Sequence, residues 1–326
     1  MKTTAIAHAN IALVKYWGKR DAALNLPATG SISLTLKELF TKTTVEFSDD
    51  PAQDELTLNG ERANPKDEQR AGKFLNLIRE QAGIGQFARI TSENNFPTGA
   101  GLASSASGFA ALALAAAHAA GLNLSPARLS ELARRGSGSA ARSIFGGFVE
   151  MKPGVLPDGS DAVAVQLHDE TFWPLEMLIL ITSAAEKEIG STTGMNRTAQ
   201  TSPYYPAWVA SSAADLEAMR DAISRKDFQQ LGEIAEFSCF KMHGLALSAR
   251  PAILYWNSLT VELIHAVRGL RQKGIPAYVT IDAGPQIKVI CLPEYSEQIR
   301  AALEQISGIR QIIKTSPGPG ARLVEE

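Results

Sequence analysis

Apolar and polar residues alternate along "AIAHANIALVKYW" from Ala5, then along "SISLTL" and "KTTVEF". A period of two predicts paired strands in the first fifty residues, with a charge-rich loop at 18–30 between them. Asn64 ahead of Pro65 marks a helix start, and Phe74, Leu75 and Ile78 recur at helical spacing up to a stop at Gly83. The strand-like "FARITSEN" follows. Small residues predict a helix over Phe109–Gly121, and Ser125 before "PARLSELARR" opens another that runs into "GSGSAARS", read as a turn-rich loop. "FGGFVEM", "AVAVQL" and "MLILITS" read as strands, and 203–224, 227–248 and 257–273 as helices. The last third alternates "AYVTIDAG", "IKVICL", a helix near 296–307 and "IRQIIK". This is more chain than one core fills, so two domains are expected, 1–184 and 185–326.

Composition narrows the classes. Of 326 residues, 45% are hydrophobic and 20% charged, a globular balance. Lys and Arg total 32 against 34 Asp and Glu, a net charge of -2, so no basic field exists to draw a nucleic-acid backbone. Anion binding must come from local placement of cations and backbone N–H groups. Cys239 and Cys291 are the two cysteines, too far apart in sequence for a metal or redox motif and too few for a disulfide framework; a reducing cytoplasm fits. The start of the chain lacks the apolar run of an export signal, and the apolar run Phe109–Ala117 is too short to span a bilayer.

The chemistry concentrates in a few stretches. "NNFPTGAGLASSASG" at 94–108 puts Gly99, Gly101, Ser104, Ser105 and Ser107 before a helical run. Such a loop presents unpaired N–H groups at a helix start, and its hydroxyls can bond phosphate or ligate magnesium; an ordinary turn with a serine cap has the same composition. It lacks the lysine of a Walker loop and the spacing of a dinucleotide fingerprint. "GSGSAAR" at 136–142 repeats the pattern with Ser137, Gly138 and Ser139 and adds Arg142, whose guanidinium can grip a carboxylate or phosphate. In "VKYWGKRD" a strand would set Lys15, Trp17 and Lys19 on one face, either an anion pocket or a solvated loop. "AYVTIDAGP" runs a buried strand into Asp282, a costly place for an acid unless it is paired or catalytic; an Asp turn before Gly-Pro is the alternative. His8, His118, His168, His243 and His265 have no metal-ligand spacing. "GSTTGM" reads as a helix start capped by Ser191, or as a hydroxyl facing substrate.

Taken in order, "ANIALVKYWGKRD", "LNLP", "SISLTL", "NNFPTGAGLASSASG", "GSGSAARS", "FGGFVE", "DGSDA", "STTGM", "TSP" and "DAGP" resemble the diphosphomevalonate decarboxylases of the GHMP kinase superfamily nearly end to end. The resemblance implies an α+β fold of two domains, a ribosomal-protein-like N-terminal domain and a C-terminal α/β sandwich, with the active site in the cleft between them. It implies ATP-dependent decarboxylation of mevalonate 5-diphosphate to isopentenyl diphosphate, ADP, phosphate and carbon dioxide, with ATP and Mg2+ as cofactors, on the mevalonate route to isoprenoids. A homodimer is the family expectation.

Carried over by the resemblance, Asp282 orients or deprotonates the substrate hydroxyl, Lys15 holds Asp282 ionised, and Arg142 binds the substrate carboxylate. Tyr16, Lys19, Ser137, Gly138 and Ser139 match positions that hold the diphosphate, and Ser191 one that contacts substrate. Gly99, Gly101, Ser104, Ser105 and Ser107 cradle the nucleotide, with Ser105 toward the metal. Three departures stand out: Gly99 where alanine is usual, Ala141 where cysteine is usual, and Thr29-Gly30 in place of asparagine and serine. The last pair bears on selectivity. The rivals are a mevalonate 5-phosphate decarboxylase, a kinase that stops at phosphorylation and a silent nucleotide-binding homologue. The joint presence of Lys15, Arg142 and Asp282 argues against the last two.

Overall fold

A computed structural model describes residues 2–96, 104–183 and 188–324. Gly99 and Gly101 lie outside the described residues. The N-terminal half opens with β1 (Lys2–Val14), the short β2 (Lys19–Asp21) and β3 (Leu26–Pro27), and the long β4 (Ser31–Ser48). β5 (Glu55–Leu58) and β6 (Glu61–Arg62) precede helix α1 (Pro65–Ala82), and β7 (Phe87–Asn94) follows it. Then come α2 (Ser104–Ala119), α3 (Pro126–Gly136), a 3-10 segment (Gly138–Ile144), β8 (Phe148–Met151) and β9 (Ala164–His168). β1 and β4 pair antiparallel along most of their length, and β4 carries β7 at one end and β8 at the other.

The second half begins with β10 (Glu176–Ile181), followed by α4 (Ser191–Thr201), α5 (Tyr205–Ser224), α6 (Phe228–Leu247) and α7 (Ser258–Gln272). β11 (Ala277–Thr280), β12 (Ile287–Cys291), α8 (Pro293–Leu303), β13 (Gln311–Thr315) and β14 (Arg322–Leu323) complete the chain. Its sheet has the order β11-β12-β10-β13. The chain changes sheets between His168 and Glu176, ahead of the expected division at 184/185, and β14 returns to pair with β1.

The helix ends follow from local chemistry. Asn64 accepts a hydrogen bond from the Asp67 N–H at 3.0 Å, Pro65 needs no donor in the first turn, and Gly83 closes the helix in the left-handed region at φ 65°. Ser125 caps α3, and Asn257 forms a reciprocal capping box with Thr260 on α7. In α2 the small side chains of Ala110, Ala113 and Ala117 admit Phe74, Leu75 and Ile78 of α1 and Val45 and Ile90 of the sheet. A second core joins the halves: Leu13, Ile32 and Leu34 of β1 and β4 pack with Met177, Leu216, Met219 and Leu231. Burial of this shared layer fixes the domains against each other and so fixes the cleft.

Four expectations change. β1 ends at Val14, so Lys15, Trp17 and Lys19 do not share a strand face. Described helix α2 already includes Ser104 to Gly108, where a loop was expected. "GSGSAARS" runs from the end of α3 into a 3-10 segment packed chiefly against α2, α3 and β1, and Gly190 rather than Ser191 is the cap of α4. No helix among the described residues is long and apolar enough to cross a membrane.

Candidate active site

The end of β1 and the loop after β11 meet at an ion pair. Lys15 Nζ donates to Asp282 Oδ1 at 2.8 Å, though 267 positions separate them in sequence. Lys288, the second residue of β12, places its Nζ 3.4 Å from the other carboxylate oxygen. Both ammonium stems are buried, whereas the carboxyl is 28% exposed, so the acid faces an opening and the cations stand behind it. Burial by itself would raise the Asp282 pKa; Lys15 and then Lys288 outweigh it and hold the carboxyl well below the usual carboxylate range. Lys288 was not singled out from sequence. Its signal is a lysine inside the apolar strand "IKVIC", which alternation alone assigns to a solvent face.

Arg142 leaves the 3-10 segment into the core beneath β1 and β4. Its Nε donates to Ser33 Oγ at 2.9 Å and Asn10 Oδ1 at 3.2 Å, Nη1 to Ser31 Oγ at 2.7 Å and Nη2 to Asn10 Oδ1 at 3.0 Å. Asn10 is itself oriented by donating to Ser143 Oγ and the Ser139 carbonyl. All these acceptors are neutral. Burial lowers the Arg142 pKa to about 10, which leaves it charged at neutral pH, with Tyr16 and Asp282 in reach of its field. A buried cation held by neutral oxygens is arranged to receive an anion.

Next to Lys15 in the chain, Tyr16 lines a polar cavity of about 220 Å³ with Lys19, Asn25, Arg70, Ser137, Gly138 and Ser139. The Tyr16 hydroxyl is buried and has no hydrogen-bond partner among the described residues. Burial pushes its pKa up to about 12, so it stays a donor. Gly138 is required here: a Cβ would lie 2.2 Å from the Tyr16 oxygen. Trp17 turns the other way, its Nε1 donating to Thr198 Oγ1 at 2.8 Å. α4 brings Thr192 and Met195, not Ser191, to this cavity wall.

A second, more apolar cavity lies between β4, β7, α1 and the start of α2, walled by Leu56, Ile90, Asn94, Ser104, Ser105 and Phe109 among others. Arg70 lines both cavities, its Nη2 on the Gly136 carbonyl at 2.9 Å and its guanidinium over the Phe109 ring. Ser105 Oγ of one and Ser137 Oγ of the other stand 3.4 Å apart, so the cavities meet at these hydroxyls. Ser107 departs from expectation: it is buried, bonded to Thr41 Oγ1 at 2.7 Å, and does not wall this cavity. Arg70 was not anticipated; on sequence it is one of several charges on an amphipathic helix. Of the departures, Ala141 is buried beside Leu26 and Val149, whereas Thr29-Gly30 directly precede Ser31, a partner of Arg142.

Two family models match consecutive parts of the chain: the diphosphomevalonate decarboxylase-like N-terminal domain over residues 7–164 and the mevalonate 5-diphosphate decarboxylase C-terminal domain over 177–322. The diphosphomevalonate decarboxylase of Candida albicans is 39% identical over an alignment 352 positions long, gaps included, that covers 98% of this chain and 97% of that one. A solved complex of MDDEF with MVAPP, AMPPCP and magnesium superimposes with a TM-score of 0.94 at 43% identity, over 100% of this chain and 99% of that one. The mevalonate diphosphate decarboxylase from Enterococcus faecalis gives a TM-score of 0.92 at 42% identity, with the same coverage.

Proposed function

We propose how this chain, which belongs to the diphosphomevalonate decarboxylase family, converts ATP and mevalonate 5-diphosphate to isopentenyl diphosphate, ADP, phosphate and carbon dioxide. The tertiary 3-hydroxyl of the substrate is a poor leaving group and must first be phosphorylated. Asp282 accepts the hydrogen bond of that hydroxyl and aims its oxygen at the γ-phosphorus of ATP. Because the two lysines hold the carboxylate so far below the usual range, it is a weak base. It therefore takes the proton as the new O–P bond forms and the hydroxyl becomes acidic. Lys15 fixes the acid and offsets charge on the phosphoryl group in flight.

With ADP released, the C3–O bond breaks and phosphate leaves with its electron pair. The bond to the carboxyl carbon breaks in turn, its electrons forming the new double bond as carbon dioxide departs. Arg142 binds the carboxylate and sets that bond in line with the departing oxygen. Tyr16, Lys19, Ser137, Gly138 and Ser139 hold the diphosphate tail, while Thr192, on the same wall, is a closer candidate than Ser191 for a substrate contact. Ser104, Ser105 and Arg70 face the nucleotide phosphates. Among the described residues no cluster of three His, Cys, Asp or Glu is arranged to hold a metal. Hydroxyl donors fit a hard cation, so magnesium would be held chiefly by nucleotide phosphates with Ser105 beside it, and it would neutralise phosphate charge.

The observation that carries this reading is the Lys15–Asp282 pair at 2.8 Å, in the field of a buried guanidinium whose hydrogen-bond acceptors are all neutral. We also propose action in a reducing cytoplasm, supported by two free, buried cysteines, and a homodimer, which light scattering tests. The functional test is product analysis with ATP, magnesium and either mono- or diphosphorylated mevalonate. Carbon dioxide is expected from the diphosphate at a kcat/KM at least about a hundredfold higher, because the extra phosphate meets several charge-assisted hydrogen bonds. Release from neither rejects decarboxylation; equal release from both rejects the diphosphate assignment.

A further inference from the structure

Two adjacent residues of α6 hold the backbone on either side of the acid–ammonium pair. Ser238 Oγ accepts a hydrogen bond from the Lys15 N–H at 3.0 Å. Cys239 Sγ accepts one from the Ile281 N–H at 3.2 Å, and its thiol donates to the Ile281 carbonyl at 3.5 Å. Both side chains are fully buried. Lys15 follows β1 of the first sheet and Ile281 follows β11 of the second, so one turn of helix grips both domains where their reacting groups meet.

β11 is an edge strand that pairs with β12 on one side. Along its other edge α6 stands where a further strand would be. Glu236 Oε2 accepts from the Val279 N–H at 3.2 Å, and Cys239 repeats this for Ile281. Residues three apart on a helix share a face, and N–H groups two apart on a strand share an edge, so the two elements run in register. Glu236 is itself held by Arg268 and Arg271. Burial pushes the Cys239 thiol up to about 11, so at neutral pH it keeps both donor and acceptor.

We propose that Ser238 and Cys239 are positioning residues of the reaction, setting the separation and angle of Lys15 and Asp282 across the domain boundary without touching either substrate. The kinetic consequence rests on the decarboxylase reading; the geometric one does not.

The test uses the full chain with Ser238→Ala, Cys239→Ala and Cys239→Ser. With mevalonate 5-diphosphate, ATP and magnesium, each alanine variant is expected to lower kcat about tenfold, the scale of a small misplacement of reacting groups, with KM for both substrates within about twofold. Cys239→Ser keeps a donor and acceptor and is expected within about threefold of the parent; a tenfold loss there contradicts the proposal. In an Asp282→Asn background the alanine substitutions should change the residual rate by less than about twofold, since they act through the acid. The same factor in both backgrounds, or an unchanged kcat in the parent, overturns it. Crystal structures of the resting alanine variants give a readout free of turnover. The Lys15 Nζ to Asp282 Oδ1 separation should open beyond about 3.5 Å, the limit of a hydrogen bond; retention of the parent distance in both variants overturns the proposal. If that separation opens while the parent enzyme releases no carbon dioxide, the functional reading fails and the tether stands.

Discussion

Replacing Arg142 by Met separates stability from activity at one site. The guanidinium is 2% exposed and its hydrogen-bond acceptors are uncharged. Burial lowers its pKa from 12.5 to about 10. A cation whose folded-state pKa lies below its unfolded one destabilises the fold at every pH below both, here by about 3 kcal/mol at neutral pH. Met keeps much of the volume and removes that charge, but it strips donors from Asn10, Ser31 and Ser33, at about 1 kcal/mol for each acceptor, the low end of the usual range because a serine hydroxyl can rotate. The two effects offset, so the resting variant should unfold within about 2 kcal/mol of the parent in urea. A member of a conventional buried ion pair would lose about 3–5 kcal/mol. Activity has no such offset. In the role proposed for Arg142, the substrate carboxylate loses a charge-assisted partner in a desolvated site, about 2–5 kcal/mol, so kcat/KM should fall between about thirtyfold and several thousandfold. The assays are urea midpoints without ligand and carbon dioxide release at saturating ATP. Destabilisation beyond about 4 kcal/mol, or a kcat/KM within about threefold of the parent, would refute the reasoning.

Further outcomes follow from the same site. Asp282→Asn should leave ATP and substrate affinity, read by calorimetry, largely intact while kcat falls at least about a thousandfold, the joint loss of a base and a charge; near-normal turnover removes Asp282 from its role. Because Lys15 and Lys288 depress the Asp282 pKa, the carboxylate is ionised throughout the neutral and mildly acidic range, and the stability it contributes is lost only as pH falls through its low folded-state value. Lys288→Met should raise that pKa, so the acid-side fall of kcat, followed from neutral pH downward, moves to higher pH; superimposable profiles exclude Lys288. Gly138→Ala puts a methyl 2.2 Å from the Tyr16 oxygen and should raise KM for the diphosphate about tenfold or more with KM for ATP unchanged, in steady-state kinetics.

Local signals and long-range contacts were unequally legible. Asn64, Ser125 and Gly83 announce helix ends because capping acts within one turn, and all three do so in the structure. The apolar strands and long helices of the second half follow their periodicity. The strand-face reading of Lys15, Trp17 and Lys19 failed for a non-local reason. β1 stops at Val14, where the Lys15 N–H turns to Ser238 of a distant helix; Lys15 then pairs with Asp282, Trp17 with Thr198, and Lys19 begins β2. β14 and the β5–β6 hairpin are too short to carry a period. At the site, the serine-glycine turn with Arg142 was visible as anion-binding chemistry, but its pairing with Asn10, Ser31 and Ser33 was not. Lys15 and Asp282 came together through the ordered family motifs; no spacing rule links residues 267 apart. Lys288 stayed hidden because its buried charge depends on an acid that the strand pattern does not reveal.

The most direct measurement follows mevalonate 5-diphosphate labelled at the carboxyl carbon, with ATP and magnesium, and counts labelled carbon dioxide against ADP. One carbon dioxide per ADP is predicted for the parent enzyme, and loss of both products together in Asp282→Asn. ADP formed without carbon dioxide, or carbon dioxide released without ADP, would contradict an acid that readies the hydroxyl for phosphorylation before the carbon–carbon bond breaks.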